Sequence, residues 1–431
     1  MISVKKISHT LVVNILEFAV GFGLTSYATL QYSTTEAGKW MWVMAMVAVQ
    51  AKIREGITQT ALVKYACNGF IKKQLSHRKL NLLITVGFEL AVFIILLLIS
   101  PFMGVDYKEW FPVYVFYSIA TSVFRWQMFL WQGTLKTKQL VNTQSAVVLL
   151  LGGALLYGYL QQIDLKTLTL ALGGIRLLAL LPFIDYRAFR LILKSKVHQH
   201  HIELIKPYAG FGLLRETTGS LAARAEVLIG GLLLTFSEVA WLGLAARYAQ
   251  LLLLPNGSIQ ALVNAKAHQL AHEDTEAMKK LLGQTLMGIW GLFGMALLFF
   301  SISAPYWFPY LHGENFVEAL PLITLLLCIN AFAAPLGGIY GTICHALNKP
   351  MLTAKVVLIS SAIKITFTVI GLQLFGIWGG VYSIILVEIW GFIYTDKLLR
   401  THLNISWGNI LKRGLQGSQG IKAAFLKANK Y

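Results

Sequence analysis

Charge is what this sequence has least of, and negative charge above all. Asp and Glu number 19 against 37 Lys and Arg, and the four together make up 13% of its 431 residues. Soluble domains carry roughly 25% charged residues, so a chain bathed in water on every side is excluded. Cysteine is nearly missing too. Cys67, Cys328 and Cys344 fall in or beside apolar runs without metal-ligand spacing, which argues against a disulfide framework and leaves them as small buried hydrophobes. No P-loop, nucleophile elbow or HExxH sequence occurs, so motifs for ATP hydrolysis, serine acyl transfer and zincin chemistry are all absent. His198, His200 and His201 cluster in VHQHHIEL, but they lack Cys or carboxylate partners at metal spacing, and no metal site is read there.

What the sequence has instead is long apolar runs. It is 56% hydrophobic with a mean hydropathy of +0.63. Scanning for runs of about 20 residues predicts about twelve membrane-spanning helices. The spans are 8–30, 37–60, 80–102, 110–131, 143–161 and 167–192, then 208–235, 239–264, 282–308, 316–342, 351–373 and 376–397. The segment 37–66 is the least regular, because Lys52, Arg54 and Glu55 interrupt it beside Gly56. The first run is too long for a signal-peptide core and ends without a small-residue cleavage site, so it is read as a retained helix.

The basic residues gather in alternate loops. One set, from Lys5 and Lys6 through KYACNGFIKKQLSHRK, TLKTKQ, YRAFRLILKSKVHQHHIELIK, AKAHQLAHEDTEAMKK and ALNKP to the tail, holds roughly 25 Lys and Arg; the other holds about two. This skew predicts a cytoplasmic-membrane protein with both termini cytoplasmic, and it explains the +18 net charge without nucleic acid. Trp307, Phe308 and Tyr310, with Trp110 and Phe111, sit where an interfacial aromatic belt is expected. The opposite loops are short, the longest running about a dozen residues around Pro305–Glu318, which leaves little room for an external catalytic domain.

A faint repeat joins the halves. TTEAGKWMWVMAMVAVQAKIREGITQTALVKYA faces FSEVAWLGLAARYAQLLLLPNGSIQALVNAKA, aligning Glu36 with Glu238 and Ala61-Leu62-Val63 with Ala261-Leu262-Val263. The expectation is an all-α polytopic protein of two parallel six-helix bundles around a central cavity, residues 1–200 and 201–397, followed by a basic cytoplasmic tail, 398–431. In that tail Ile405, Trp407, Ile410 and Leu411 share a helical face; it either lies on anionic lipid headgroups or is solvated and partly disordered.

A charge at mid-span costs roughly 2.5–3.5 kcal/mol on insertion scales, so each one needs a reason. Pro207 to Lys266 alone holds Arg215, Glu216, Arg224, Glu226 and Arg247. Elsewhere Glu17, Arg125, Arg176, Lys364 and Glu388 interrupt apolar text. In a regular helix Arg215, Gly219, Ala222 and Glu226 would share one face, with Arg224 nearly opposite. Cations outnumber acids in this set, as an anion site requires, and guanidinium groups suit diphosphate oxygens because their donors bind in pairs. Arg125, Arg215, Arg224, Arg247 and Lys364 are therefore the candidate substrate contacts, and Glu17, Glu226 and Glu388 the candidates for Na⁺ or H⁺ coupling. The competing reading is structural ion pairing, for instance Lys364 with Glu388. Pro255 and Gly257, in Pro-Asn-Gly, would break or kink their helix and are candidate hinge residues. No cofactor is implied.

Four blocks in order resemble the Wzx-type bacterial polysaccharide flippases, in the superfamily that also holds MATE-type multidrug extruders. They are TEAGKWMWVMAMVAVQAKIREGITQTALVKYA, RAEVLIGGLLLTFSEVAWLGLAARYAQLLLLP, LHGENFVEALPLITLLL, and HALNKPMLTAKVVLISS through GIWGGVYSII. The resemblance covers most of residues 30–395 and departs in one respect: this chain has twelve expected helices where many lipid-precursor flippases have fourteen, the extra pair flanking a lipid groove. It implies a flippase that carries a polyprenyl-diphosphate oligosaccharide across the cytoplasmic membrane by alternating access. It also implies membrane lipid and glycan polymerase or assembly proteins as partners. A MATE-like multidrug or cation antiporter is the alternative within transport, and a membrane glycan polymerase or ligase the alternative of another class.

Overall fold

The computed structural model describes residues 4–65, 71–102, 104–134 and 136–416; Cys67 and the end of the tail lie outside them. Among these residues the secondary structure is entirely helical, and eight segments are long and apolar enough to cross a membrane. The helices bear large apolar side chains outward: Leu149 is 76% exposed and Phe299 73%. Such surfaces are stable against hydrocarbon and unstable in water, so this is a multi-pass membrane protein. The chain divides into two compact units, Met1–Ala240 and Trp241–Tyr431.

The first unit contains α1 (Val4–Gln31), α2 (Thr34–Tyr65), α3 (Ile71–Ile99), α4 (Val105–Gly133), α5 (Thr137–Gln161), α6 (Leu165–Leu180), α7 (Tyr186–Lys194), α8 (Gln199–Ala223), α9 (Ala225–Leu233) and the first turn of α10 (Phe236–Glu273). α2 is its centre, packing on α3, α4, α8 and α9, while α1 packs on α5 and α4 on α6. Backbone contact sets the α2–α8 spacing. A Cβ on Gly56 would lie 2.5 Å from the Gly212 carbonyl oxygen and 2.8 Å from Glu216 Cβ, so glycine at both positions lets the helices touch.

Two expected spans are broken. The run 167–192 becomes α6 and α7, separated by a 3-10 turn at Leu181–Phe183. Pro182 removes a backbone donor there, and Asp185 starts the new helix by accepting from the Ala188 amide at 3.0 Å. α7 then lays Phe189 and Ile192 against Leu62, Trp126 and Leu130, and keeps Arg187 and Arg190 exposed. The run 208–235 becomes α8 and α9, interrupted at Arg224, whose backbone leaves the helical region (φ −123, ψ 8). α9 is gripped separately: the Trp42 indole donates to the Leu228 carbonyl (3.1 Å) and the Tyr107 hydroxyl to that of Gly231 (2.7 Å). The regular face expected through Arg215, Gly219, Ala222 and Glu226 therefore does not run unbroken.

α2 and α10 open alike. The Ser33 hydroxyl accepts from the Glu36 amide (3.2 Å), and Thr235 and Glu238 form a reciprocal box, with the Thr235 amide donating to Glu238 at 3.0 Å. The two starts meet, Thr34 Oγ1 lying 2.9 Å from Ser237 Oγ. These are the positions the sequence repeat aligns.

The second unit comprises the remainder of α10 with α11 (Thr275–His312), α12 (Leu320–Ala346), α13 (Pro350–Phe375) and α14 (Ile377–Leu403). Leu282 and Leu286 of α11, Ile343 of α12 and Leu399 of α14 form its core. α13 and α14 meet at Gly371 and Gly379, where either Cβ would collide with the opposite backbone. Residues 407–416 form a further helix, and Ile405, Trp407 and Ile410 are buried. Trp407 donates its amide to Asp396 (2.8 Å) and its indole N–H to Thr395 (3.1 Å). This part of the tail is thus core, neither solvated nor resting on headgroups as expected from its basic composition. α10 continues as one helix through Pro255 and Gly257, so of the expected break or kink the break does not occur.

Candidate functional site

The spans of the first unit bring a polar network together in apolar surroundings. Its inner part joins α2, α3 and α4. Arg54 Nη1 donates to Glu89 Oε1 at 2.5 Å, while Glu89 Oε2 accepts from Gln50 (2.6 Å) and Ser118 (3.2 Å). Gln50 in turn accepts from the Tyr114 hydroxyl. Arg54 is 3% exposed and Glu89 10%. Arg54 Nη2 has no hydrogen-bond partner among the described residues, so the network holds one more buried donor than acceptors to meet it. Helix backbones extend the network: Thr58 donates to the Arg54 carbonyl (2.8 Å), and Asn81 to that of Thr58 (2.7 Å).

Its outer part joins α1, α2 and α4 around Arg125. This guanidinium donates to both oxygens of Glu17, one at 3.2 Å, and its Nε lies 3.8 Å from Glu55. Glu55 is 4% exposed and also meets Lys52 at 2.7 Å, whereas Arg125 and Glu17 are 30% and 37% exposed. The sequence pattern points to the reason for this partition. Arg54 and Glu55 are adjacent, about 100° apart around α2, so one faces Glu89 and the other Arg125. A neighbouring arginine, Arg176 of α6, donates to Thr121 (2.6 Å) and stacks over Tyr117, 4.9 Å from its ring centroid.

The other expected residues lie in several places. Arg215 is 61% exposed and 3.7 Å from Glu216, the residue whose stem covers Gly56. Arg224 occupies the α8–α9 break, and Glu226 is buried in the first turn of α9. In the second unit Arg247 donates to Gln250 at 3.3 Å, and Lys364 acts electrostatically on Glu388. Pro255 and Gly257 are exposed on α10.

Sequence reasoning missed Glu89 and regarded Arg54 and Glu55 only as an interruption. Glu89 had a signal: it is the one acid in the Gln74–Ile99 span, whose hydropathy of 2.9 is the highest among the eight. Among the described residues no group of His, Cys, Asp and Glu is disposed to hold a metal ion.

No family model and no curated protein matches the sequence. Solved structures do match in fold. A multidrug resistance MATE family transporter of the MOP superfamily, in an inward-facing conformation, superposes with a TM-score of 0.62 at 15% identity, covering 93% of this chain and 97% of that one. The lipid II flippase MurJ, inward closed, gives 0.63 at 15% identity, covering 96% and 92%. A Vibrio cholerae MATE transporter gives 0.58 at 13% identity, covering 93% and 96%. The chain therefore has the fold that these solved structures share.

Proposed function

We propose that this protein is a flippase for a lipid-linked, polyprenyl-diphosphate oligosaccharide, acting by alternating access of two six-helix halves, 1–200 and 201–397, with both termini cytoplasmic. The observation that carries this reading is the Arg125 bracket. A guanidinium on an expected span is gripped by Glu17, a carboxylate exposed enough to be displaced, and steadied by the buried Glu55. A diphosphate oxygen can replace Glu17 on Arg125 with the same paired geometry. Protonating Glu17 removes its claim on the guanidinium, so proton uptake and anion binding favour each other by linkage. Arg125, expected to bind substrate, and Glu17, expected to couple ions, then form one exchange unit. Arg215, Arg224, Arg247 and Lys364 would contact the anion elsewhere along its path, Glu226 and Glu388 would share the coupling, and Pro255 and Gly257 would allow α10 to bend. Glycan polymerase or assembly proteins would receive the flipped product.

The fold also supports a second reading, a multidrug or cation antiporter in which Glu17, released from Arg125, receives a cation. Reconstituted protein and a labelled lipid-diphosphate sugar separate the two. The flippase reading requires transfer between leaflets that is stimulated by an acidic donor side, abolished by Arg125→Leu, and made insensitive to pH by Glu17→Gln. Organic-cation export without lipid transfer, or undiminished transfer by Arg125→Leu, would overturn it.

A further inference from the structure

A second feature of the first unit is independent of the transport reading. Between α3 and α4, closed at one end by α7, runs a groove of about 630 Å³. Its walls are almost wholly apolar, with Val86, Leu90 and Phe93 on one side, Ile119 and Val123 on the other, and Phe189 as the floor. Leu90 is 54% exposed and Val123 45%, so the groove opens laterally, toward hydrocarbon. Its volume is within the ~300–1,000 Å³ typical of ligand clefts.

The closed end changes character. A smaller cavity of about 70 Å³ shares Trp126, Gln127, Ile184 and Phe189 with the groove, and its lining adds Arg78, Lys136 and Asp185. Asp185 is committed to capping α7 through the Ala188 amide, and the flanking Lys79 to the carbonyls of Leu193 (2.7 Å) and Ser195 (2.8 Å) at the other end of that helix. α7 is therefore pinned at both ends, and Trp126 meets Phe189 edge to face at 6.4 Å. The result is a fixed apolar slot leading to a small pocket with two cationic side chains.

We infer that this groove holds one anionic phospholipid of the surrounding bilayer, its acyl chain along α3 and α4 and its phosphate between Arg78 and Lys136. Charge complementarity selects the class: an apolar slot alone would accept any chain, whereas the basic pocket favours a phosphate that is not neutralised by a choline. A cavity of about 70 Å³ has room for a phosphate. Glu89 lines the groove on one side and holds Arg54 on the other, so a bound lipid would lie against the wall of the buried network.

Native mass spectrometry of the full-length protein, delipidated and titrated with phosphatidylglycerol or phosphatidylcholine, tests this. One phosphatidylglycerol should be retained per chain in preference to phosphatidylcholine, with inorganic phosphate unable to displace it. Removing two basic side chains near a lipid surface should weaken retention about 30-fold in Arg78→Ala/Lys136→Ala. Val123→Trp, a change on a lipid-facing wall, should fill the slot and abolish retention with the charges intact. Thermal unfolding of both variants within a few degrees of the parent shows that they fold; a larger loss directs the test to Lys136→Ala alone, whose side chain is exposed. Equal retention of both lipids, displacement by inorganic phosphate, or full retention by the variants would overturn the assignment. So would preferential capture of polyprenyl phosphate, which would give the groove to the transported lipid.

Discussion

Removing the Glu89 carboxylate should strand the most deeply buried cation described in the first unit. Arg54 is 3% exposed, its Nη1 is 2.5 Å from Glu89, and its Nη2 already lacks an acceptor among the described residues. Glu89→Leu deletes the counter-charge and the acceptor for Gln50 and Ser118 together. Breaking one side of a buried pair costs about 3–5 kcal/mol, because the remaining charge keeps its desolvation penalty without compensation. For a unit of this size each kcal/mol shifts the midpoint by roughly 2–4 °C, so the expected loss is on the order of 10 °C. The double variant Arg54→Leu/Glu89→Leu removes both charges and should recover most of that loss, since apolar replacement of a buried pair is close to neutral. Thermal unfolding in nanodiscs at pH 7, completed as a double-mutant cycle with Arg54→Leu, measures the coupling directly. A double variant as unstable as either single variant, or a Glu89→Leu shift of about 2 °C or less, would refute the reasoning.

Other outcomes follow from the same structure. Gly212→Leu should force α8 off α2 and destabilise the first unit by at least about 1–3 kcal/mol, measured by the same unfolding assay, because its Cβ would collide with the Gly56 carbonyl. Asp164, before α6, accepts from the Thr167 amide (2.9 Å) and hydroxyl (2.7 Å). Burial acts to raise its carboxyl, but the Thr167 bonds and Lys166 outweigh this and hold it below the usual carboxylate range. Its folded pKa is depressed, so the cap contributes fully above about pH 4 and is lost as pH falls through the lowered value. Asp164→Ala should cost about 1 kcal/mol at pH 7 and nothing once the carboxyl is protonated, as unfolding across that range will report. Trp407→Ala should destabilise the second unit by about 3–5 kcal/mol, since the side chain is buried beside Phe392 and its indole N–H donates to Thr395. A change below about 1 kcal/mol would contradict its place in the core.

Some of this was legible without coordinates. Eight of the twelve expected runs correspond to helices long and apolar enough among the described residues to cross a membrane, whereas 37–60, 110–131, 208–235 and 239–264 are mainly helical but too polar or too broken to count among them. The repeat aligned Glu36 with Glu238, and the structure places both in the first turn of a similarly capped helix. The interruptions were harder to see. Pro182 and Asp185 are readable as a stop and a start, yet their apolar surroundings masked them in a hydropathy scan. The break at Arg224 has no such marker, for α9 is held by Trp42 and Tyr107, which are distant in sequence.

The sequence by itself determined the class of molecule: all-helical, membrane-spanning, short of acid, and bearing charges that had to be accounted for at depth. Helical periodicity says which residues of one helix face the same way, and little about which helix lies opposite. Only the tertiary structure decided that Glu17 meets Arg125 across α1 and α4, that Glu89 answers Arg54 across α3 and α2, and that the aromatic tail is core. The physical reason is that a buried charge is stabilised by its partner, and the partner is chosen by packing between segments that the chain itself keeps far apart.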